Sequence, residues 1–277
     1  MTANDYRSLL KQPVPKIREK IRAGAYRGQT AGFGPGKLQA NLAILEGAYA
    51  DDFLAFCEAN SQPCPLVGIS DKRGDPRMSM LGDIDIRTDV PSYNVYRHGE
   101  MAETVHDISA LWTDDMVAFA LGCSFTFERA LAEAGIDMKH IRANKTVPMW
   151  RTNIPLAKRG PFEGTMVVSM RPIPQEQVDQ VIQITEGFDH AHGAPVHVGD
   201  PAKIGIADVD APDWGEAAEF APGDVPIFWA CGVTPQNVLR AGKPPICITH
   251  TPGRMLVTDA PEDRMPAFER AILAPAA

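Results

Sequence analysis

Asp224-Val-Pro-Ile-Phe-Trp-Ala-Cys-Gly-Val-Thr-Pro-Gln236 is the stretch from which the fold of this chain can be read. Residues 225–230 form a short apolar run, rich in β-branched and aromatic side chains, which predicts a buried strand. Cys231-Gly232 closes the run. Thr234-Pro235 then supplies a helix N-cap followed by proline at the first helical position. Cys231, Gly232, Thr234 and Gln236 therefore fall on a strand-to-helix turn, where backbone N–H groups point outward and can hold an anion. Beyond the helix, residues 245–249 read as a second strand that delivers His250 to the loop Thr251-Pro-Gly253.

The same design stands earlier in the chain. Residues 115–131 align with it without a gap from the cysteine onward: Cys123 matches Cys231, Thr126 matches Thr234, Glu128 matches Gln236 and Leu131 matches Leu239. Ser124 stands where the later copy has Gly232. Two matched turns predict a pair facing one pocket; a duplicated packing unit is the alternative. If they share a pocket, ionisable Glu128 can transfer protons while the amide of Gln236 orients a ligand.

A chain of 277 residues can bury a substantial core in one or two domains. Its net charge of -8 argues against non-specific binding to nucleic acid or acidic membranes, which needs basic surface. No apolar stretch approaches the roughly 20 residues that span a bilayer, and residues 1–30 hold no apolar signal core. The five cysteines are scattered and odd in number, with no C-x-x-C pair, which fits free thiols in a reducing compartment. A cytoplasmic protein is expected.

Alternating strand and helix signals favour an α/β class. Helical spacing over 5–23 breaks at Pro13-Val-Pro15, and its basic residues read as a solvated face. The glycine-rich loop 30–36 matches no nucleotide fingerprint, yet lets backbone approach a ligand, with Gln39 and Asn41 just beyond. Residues 38–45 read as a strand or the start of a helix, 49–60 as a helix, 64–69 as a strand and 70–82 as a polar loop. Residues 83–97 read as a strand with Asp85, Arg87 and Asp89 on one face, either a pocket wall or a charged edge. Residues 144–200 change texture, with strands at 147–153, 165–171 and 194–198 and a helix over 174–186. This predicts a small α+β subdomain (144–200) inserted in a main layered α/β domain made of 1–143 and 201–277. A last helical pattern covers 264–273.

Polar residues concentrate in the insert. His190-Ala-His192-Gly-Ala-Pro-Val-His197-Val-Gly-Asp200 could serve a metal, acid/base chemistry or loop hydrogen bonding, although Pro195 and the glycines disrupt metal-ligand spacing on a helix. Arg151, Asn153 and Arg171 are candidate anchors for an acidic substrate, because guanidinium forks match carboxylates. His250, at a strand end, is either a ligand contact or a core histidine. A thiolate at Cys123 or Cys231 is the secondary reading, since a helix N-terminus lowers a thiol pKa.

Several blocks together carry a family resemblance: Asp85-Ile-Arg-Thr-Asp, Gly122-Cys-Ser-Phe-Thr-Phe-Glu, Pro148-Met-Trp-Arg-Thr-Asn-Ile-Pro, Val168-Ser-Met-Arg-Pro, His192-Gly-Ala-Pro-Val-His-Val-Gly-Asp-Pro, Phe228-Trp-Ala-Cys-Gly-Val-Thr-Pro-Gln and Thr249-His-Thr-Pro-Gly. In these blocks, which extend over most of the chain to about residue 259, the sequence resembles a hydro-lyase family related to D-glutamate cyclase. The resemblance implies a lyase acting on a small carboxylate, such as closure of D-glutamate to 5-oxo-D-proline with loss of water, and no organic cofactor. It departs at Arg254, where the family typically has histidine. His192, His197 or His250 would supply the acid, Glu128 is a candidate base, and the two Cys turns would hold the oxyanion. A metal-assisted hydrolase and a non-catalytic binder of acidic metabolites are the alternatives. The expected partner is a small acidic molecule, with no nucleic acid and no membrane; a homo-oligomer is left open.

Overall fold

Strand β1, Lys37–Glu46, is buried along almost its whole length because it carries apolar side chains on both faces. Leu38, Ala40, Leu42 and Ile44 join one core with Val67, Met78, Val95 and Ile248. Ala43 and Leu45 join a second core with Phe53, Phe119 and Cys247. In the computed structural model, residues 3–143 and 145–263 are described. The expected helix over 264–273, and Asn144 at the head of the expected insert, lie outside them.

Helices α1 (Ala3–Leu9) and α2 (Val14–Arg22) precede β1, separated at Pro13 as the prolines require. Helix α3 (Gly47–Ala59) and strands β2 (Leu66–Ile69), β3 (Tyr93–Arg97), β4 (Glu100–Val105) and β5 (Met116–Gly122) follow. Late in the chain come β10 (Cys247–His250) and β11 (Leu256–Pro261). These seven strands form one sheet in the order β2-β5-β1-β10-β3-β4, with β11 also on β1. Strands β10 and β11 share one edge of β1, pairing at 43–45 and 37–40. Among the described residues, the strand pairings of both sheets are all antiparallel.

A second sheet of four strands runs β6 (Met149–Pro155), β7 (Thr165–Pro174), β9 (Asp224–Ala230) and β8 (His197–Val198). After the short helix α5 (Lys139–Arg142), helix α6 (Val178–Glu186) packs on this sheet. Strand β9 pairs with β7 over seven residues, so the sheet begun within 144–200 takes a strand from the chain beyond residue 200.

The duplicated units are β5 with α4 (Phe125–Glu133), and β9 with α7 (Val233–Gly242). Each helix packs against the sheet it did not come from. Phe127 and Leu131 of α4, one turn apart, meet Ile173, Ile227 and Trp229 of the second sheet. Val238 and Leu239 of α7 meet Phe53, Phe119 and Phe162 beside the first. Fully burying such a side chain contributes about 1.5–3 kcal/mol, so the crossing is firmly held. It turns the two cysteine turns toward each other.

Three local expectations are corrected. Residues 85–89 form a turn rather than a strand: Arg87 folds back on Asp85, and fully buried Asp89 accepts both Arg22 and the Asp85 N–H. The basic face of α2 is not simply solvated, because Arg18 is buried and donates to the Val257 carbonyl and to Asp259. Between 194 and 198 only His197–Val198 is strand. Strands β4 and β11 carry mixed polar patterns and go unread in the sequence.

Candidate functional site

The two turns share their local chemistry. The backbone N–H groups of Phe125 and Val233 lie close enough to the cysteine sulfurs to lower their pKa, although neither helix has a side-chain cap bond. Each cysteine carbonyl accepts from the threonine, Thr126 N at 3.1 Å and Thr234 N at 2.9 Å. The helices begin with Ser124 and Gly232 at their N-caps and no side-chain cap bond, so Thr234, expected as the cap, is already helical and spends its hydroxyl on Val167. Burial pushes Cys123 up to about 12 and Cys231 up to about 11, against the lowering by these N–H groups. Both are neutral thiols near pH 7, which removes the thiolate nucleophile. The N–H groups of Ser124 and Gly232 carry no backbone partner among the described residues and remain as donors.

One side chain joins the two turns. Asn41 Nδ2 donates to the Gly122 carbonyl at 2.8 Å, and a Cβ on Gly232 would fall on the Asn41 amide. Glycine at 232 is thus required by close approach. Gly122 is pressed harder still, by the His190 carbonyl, so the 190–192 segment passes directly against the first turn.

Behind the turns lies Arg171, 1% exposed. Its Nε donates to Glu128 Oε1 at 3.0 Å, its Nη2 to Glu128 and to Ser124 Oγ, and its Nη1 to Ser169 Oγ at 3.0 Å. Its guanidinium also lies over Phe127 and Trp229. Burial raises the Glu128 pKa, but the Arg171 charge and His140 outweigh it and hold the carboxyl down at about 2. His140 Nε2 stands 3.2 Å from the same carboxylate oxygen, near enough for charge but off the hydrogen-bonding direction. Arg171 therefore does not offer an empty fork to a substrate, and Glu128 is committed to Arg171 rather than open to a substrate proton.

His192 has φ +81°, a left-handed backbone uncommon outside glycine. Its Nδ1 lies 2.8 Å from the Gln62 carbonyl, which can only accept, so Nδ1 carries the proton. The other nitrogen, Nε2, is buried and unpartnered. Burial lowers the imidazole pKa to about 4; the Gln62 bond raises it and the Arg171 charge lowers it further. The result is a neutral imidazole of fixed tautomer with a bare lone pair. Backbone held in such a region points to a functional constraint.

His250 is also buried, and burial lowers it to about 4. Its Nδ1 accepts the Leu42 N–H at 3.1 Å, so the neutral ring keeps its proton on Nε2. The rule that ligands sit at strand ends of open parallel sheets does not account for it, since its sheet is antiparallel. Thr234 Oγ1 bridges the N–H and carbonyl of Val167 and pins α7 to β7, whereas its counterpart Thr126 Oγ1 is buried and unpartnered. Gln236 is buried in the first turn of α7.

The remaining candidates lie elsewhere. Arg151 is on the exposed side of β6, paired with Asp213 and stacked on Trp214. Asn153 is exposed beside Gly205. His197 directs Nε2 to the Asp200 carbonyl. The three histidines of the 190–200 cluster thus face three different carbonyls, Glu262, Gln62 and Asp200, and do not converge. No group of three His, Cys, Asp or Glu suited to a metal stands among the described residues. Because Arg151 is half exposed and already paired, Arg151→Ala is expected to change kcat/KM by less than about threefold and stability by under ~1 kcal/mol. Steady-state rates and urea midpoints measure both.

Asn41, Gln62, His140 and Ser169 enter the site without having been singled out as site residues in the sequence. Asn41 was the most visible, as a polar residue inside an apolar strand.

A family model described as D-glutamate cyclase matches residues 117–259, a span that includes both turns, Arg171, His192 and His250. A protein of Jannaschia sp. (strain CCS1) named "Putative hydro-lyase" is 58% identical over 248 residues, covering 89% of this chain and 93% of that one. Another of that name, from Dinoroseobacter shibae, is 57% identical over 259 residues, covering 93% and 86%. The chain belongs to the D-glutamate cyclase family.

Proposed function

We propose that this protein is a hydro-lyase, a carbon–oxygen lyase, and that its reaction is closure of D-glutamate to 5-oxo-D-proline with release of water. Family membership supports the reaction class. The observation that carries the chemistry is His192: a neutral, oriented imidazole with an unpartnered Nε2, in the segment that runs against the Cys123 turn.

Closure requires a neutral amine, because an ammonium has no lone pair to attack with. His192 Nε2 takes a proton from the substrate ammonium. The amine nitrogen then attacks the side-chain carboxyl carbon, forming the C–N bond. Negative charge developing on the carboxyl oxygen meets the N–H groups of Ser124 and Gly232 at the two helix starts. The C–O bond breaks and the oxygen leaves as water, carrying the two protons that the ammonium gave up. His192, protonated in the first step, returns that proton to the leaving oxygen, the second comes from the attacking nitrogen, and we assign His250 to donate a hydrogen bond from Nε2 to that oxygen while keeping its own proton. Arg171 and Glu128 act from behind as a fixed ion pair that holds the Ser124 turn.

The test is incubation of purified enzyme with D-glutamate, following water loss by proton NMR and chiral chromatography. Time- and enzyme-dependent 5-oxo-D-proline is expected. Saturable binding of D-glutamate with no product would replace the enzyme by a binding protein.

A further inference from the structure

Strand β1 carries a second amide besides Asn41. Gln39 lies two residues earlier and therefore on the same face. Its Nε2 donates to the Thr30 carbonyl at 2.9 Å and to the Phe33 carbonyl at 3.1 Å. Asn41 Nδ2 likewise donates to the Gly122 carbonyl at 2.8 Å. Carbonyls only accept, so both amides are locked with nitrogen toward the backbone and oxygen turned away. Gln39 Oε1 is buried with no donor, and Asn41 Oδ1 has none among the described residues. Each side chain belongs to a residue 5% exposed.

Two acceptor oxygens left without donors on one strand face form a site for a group that brings its own hydrogens. A carboxylate cannot fill it, and an apolar group would leave the buried Gln39 oxygen stranded. Asn41 packs against Gly232, so this acceptor pair adjoins the donors of the two turns.

We propose that Gln39 Oε1 and Asn41 Oδ1 receive the amino group of the substrate and make this enzyme specific for an amino acid over the corresponding plain acid. The inference rests on the two turns being the substrate site. It assigns the pair as specificity-determining residues: they hold the amine beside the turns while the carboxyl meets the N–H donors.

Calorimetric titration with D-glutamate and with glutarate, which lacks only the amine, tests this. Wild-type protein is expected to bind D-glutamate more tightly. Asn41→Leu and Gln39→Met should each weaken D-glutamate binding by roughly 10-fold or more beyond any change in glutarate binding. Asn41→Asp keeps an oxygen at the same place and should keep the preference for the amine. Equal weakening of both ligands by Asn41→Leu and Gln39→Met would assign the amides a structural role and overturn the proposal. So would loss of the preference in Asn41→Asp. If wild-type protein prefers D-glutamate and these variants lose that preference, but no 5-oxo-D-proline forms, the amine site stands and the reaction assigned above falls. If wild-type protein binds neither ligand, both fall.

Discussion

His192→Ala is expected to lower kcat for D-glutamate closure by roughly 10²–10⁴-fold, the usual contribution of a positioned general base. The protein should stay folded but lose about 1–2 kcal/mol with the Nδ1–H bond to the Gln62 carbonyl, since Nε2 makes no bond of its own. His192→Gln is the sharper variant. It can keep a donor toward the Gln62 carbonyl, but has no nitrogen lone pair to take a proton. It should therefore be as inactive as the alanine variant while preserving more stability. If either variant turned over at more than a third of the wild-type rate, His192 would lose its role as base. The pH profile gives a second check. In the free enzyme the imidazole stays neutral down to about pH 4, so the acid limb of kcat/KM should not break near 6.5 on its account.

Arg171→Met should destabilise the fold by about 3–5 kcal/mol, because it strands the Glu128 carboxylate in a buried site. Hydrogen bonds to Ser124 and Ser169 are lost with it. Pairing the change with Glu128→Leu removes the stranded charge and should recover most of the loss. A single-variant cost below about 1 kcal/mol in urea denaturation, or no recovery in the pair, would show that the ion pair does not hold this region.

The same pair makes stability depend on pH. Glu128 is depressed from 4.5 to about 2, so its contribution is fully present above 4.5 and is lost as pH falls toward 2. His192 and His250 act one step earlier. Both are held at about 4 against 6.5, so the unfolded chain binds protons that the folded one refuses, and stability drops between pH 6.5 and 4. Thermal midpoints should decline in two stages on acidification, and Arg171→Met should blunt the second.

Much of the site framework was legible because it is local. The strand, the small-residue turn and the start of the helix follow one another within residues 224–236, and apolar spacing reveals strand and helix, although the helix begins at Val233, one residue before the Thr234 expected to cap it. The duplication was equally plain, since Cys123 to Leu131 and Cys231 to Leu239 align without a gap. The partners of charged side chains were not legible. Arg171 and Arg151 looked alike in sequence, each on a strand of one sheet. Arg171 sits on β7, between β6 and β9, with its side chain against α4. Arg151 sits on β6, at the sheet edge, with its side chain toward solvent.

By itself, then, the sequence determined the class of fold, the two cysteine turns and the helices that begin at them, because strand and helix periodicities are set by neighbours. Only the tertiary structure decided what the turns face. Glu128 meets Arg171 across 43 positions, and His192 meets Gln62 across 130. Those contacts exist because α4 and α7 each cross to the other sheet, where their apolar stripes are buried. They make one arginine a structural counter-ion and leave one histidine with a bare nitrogen.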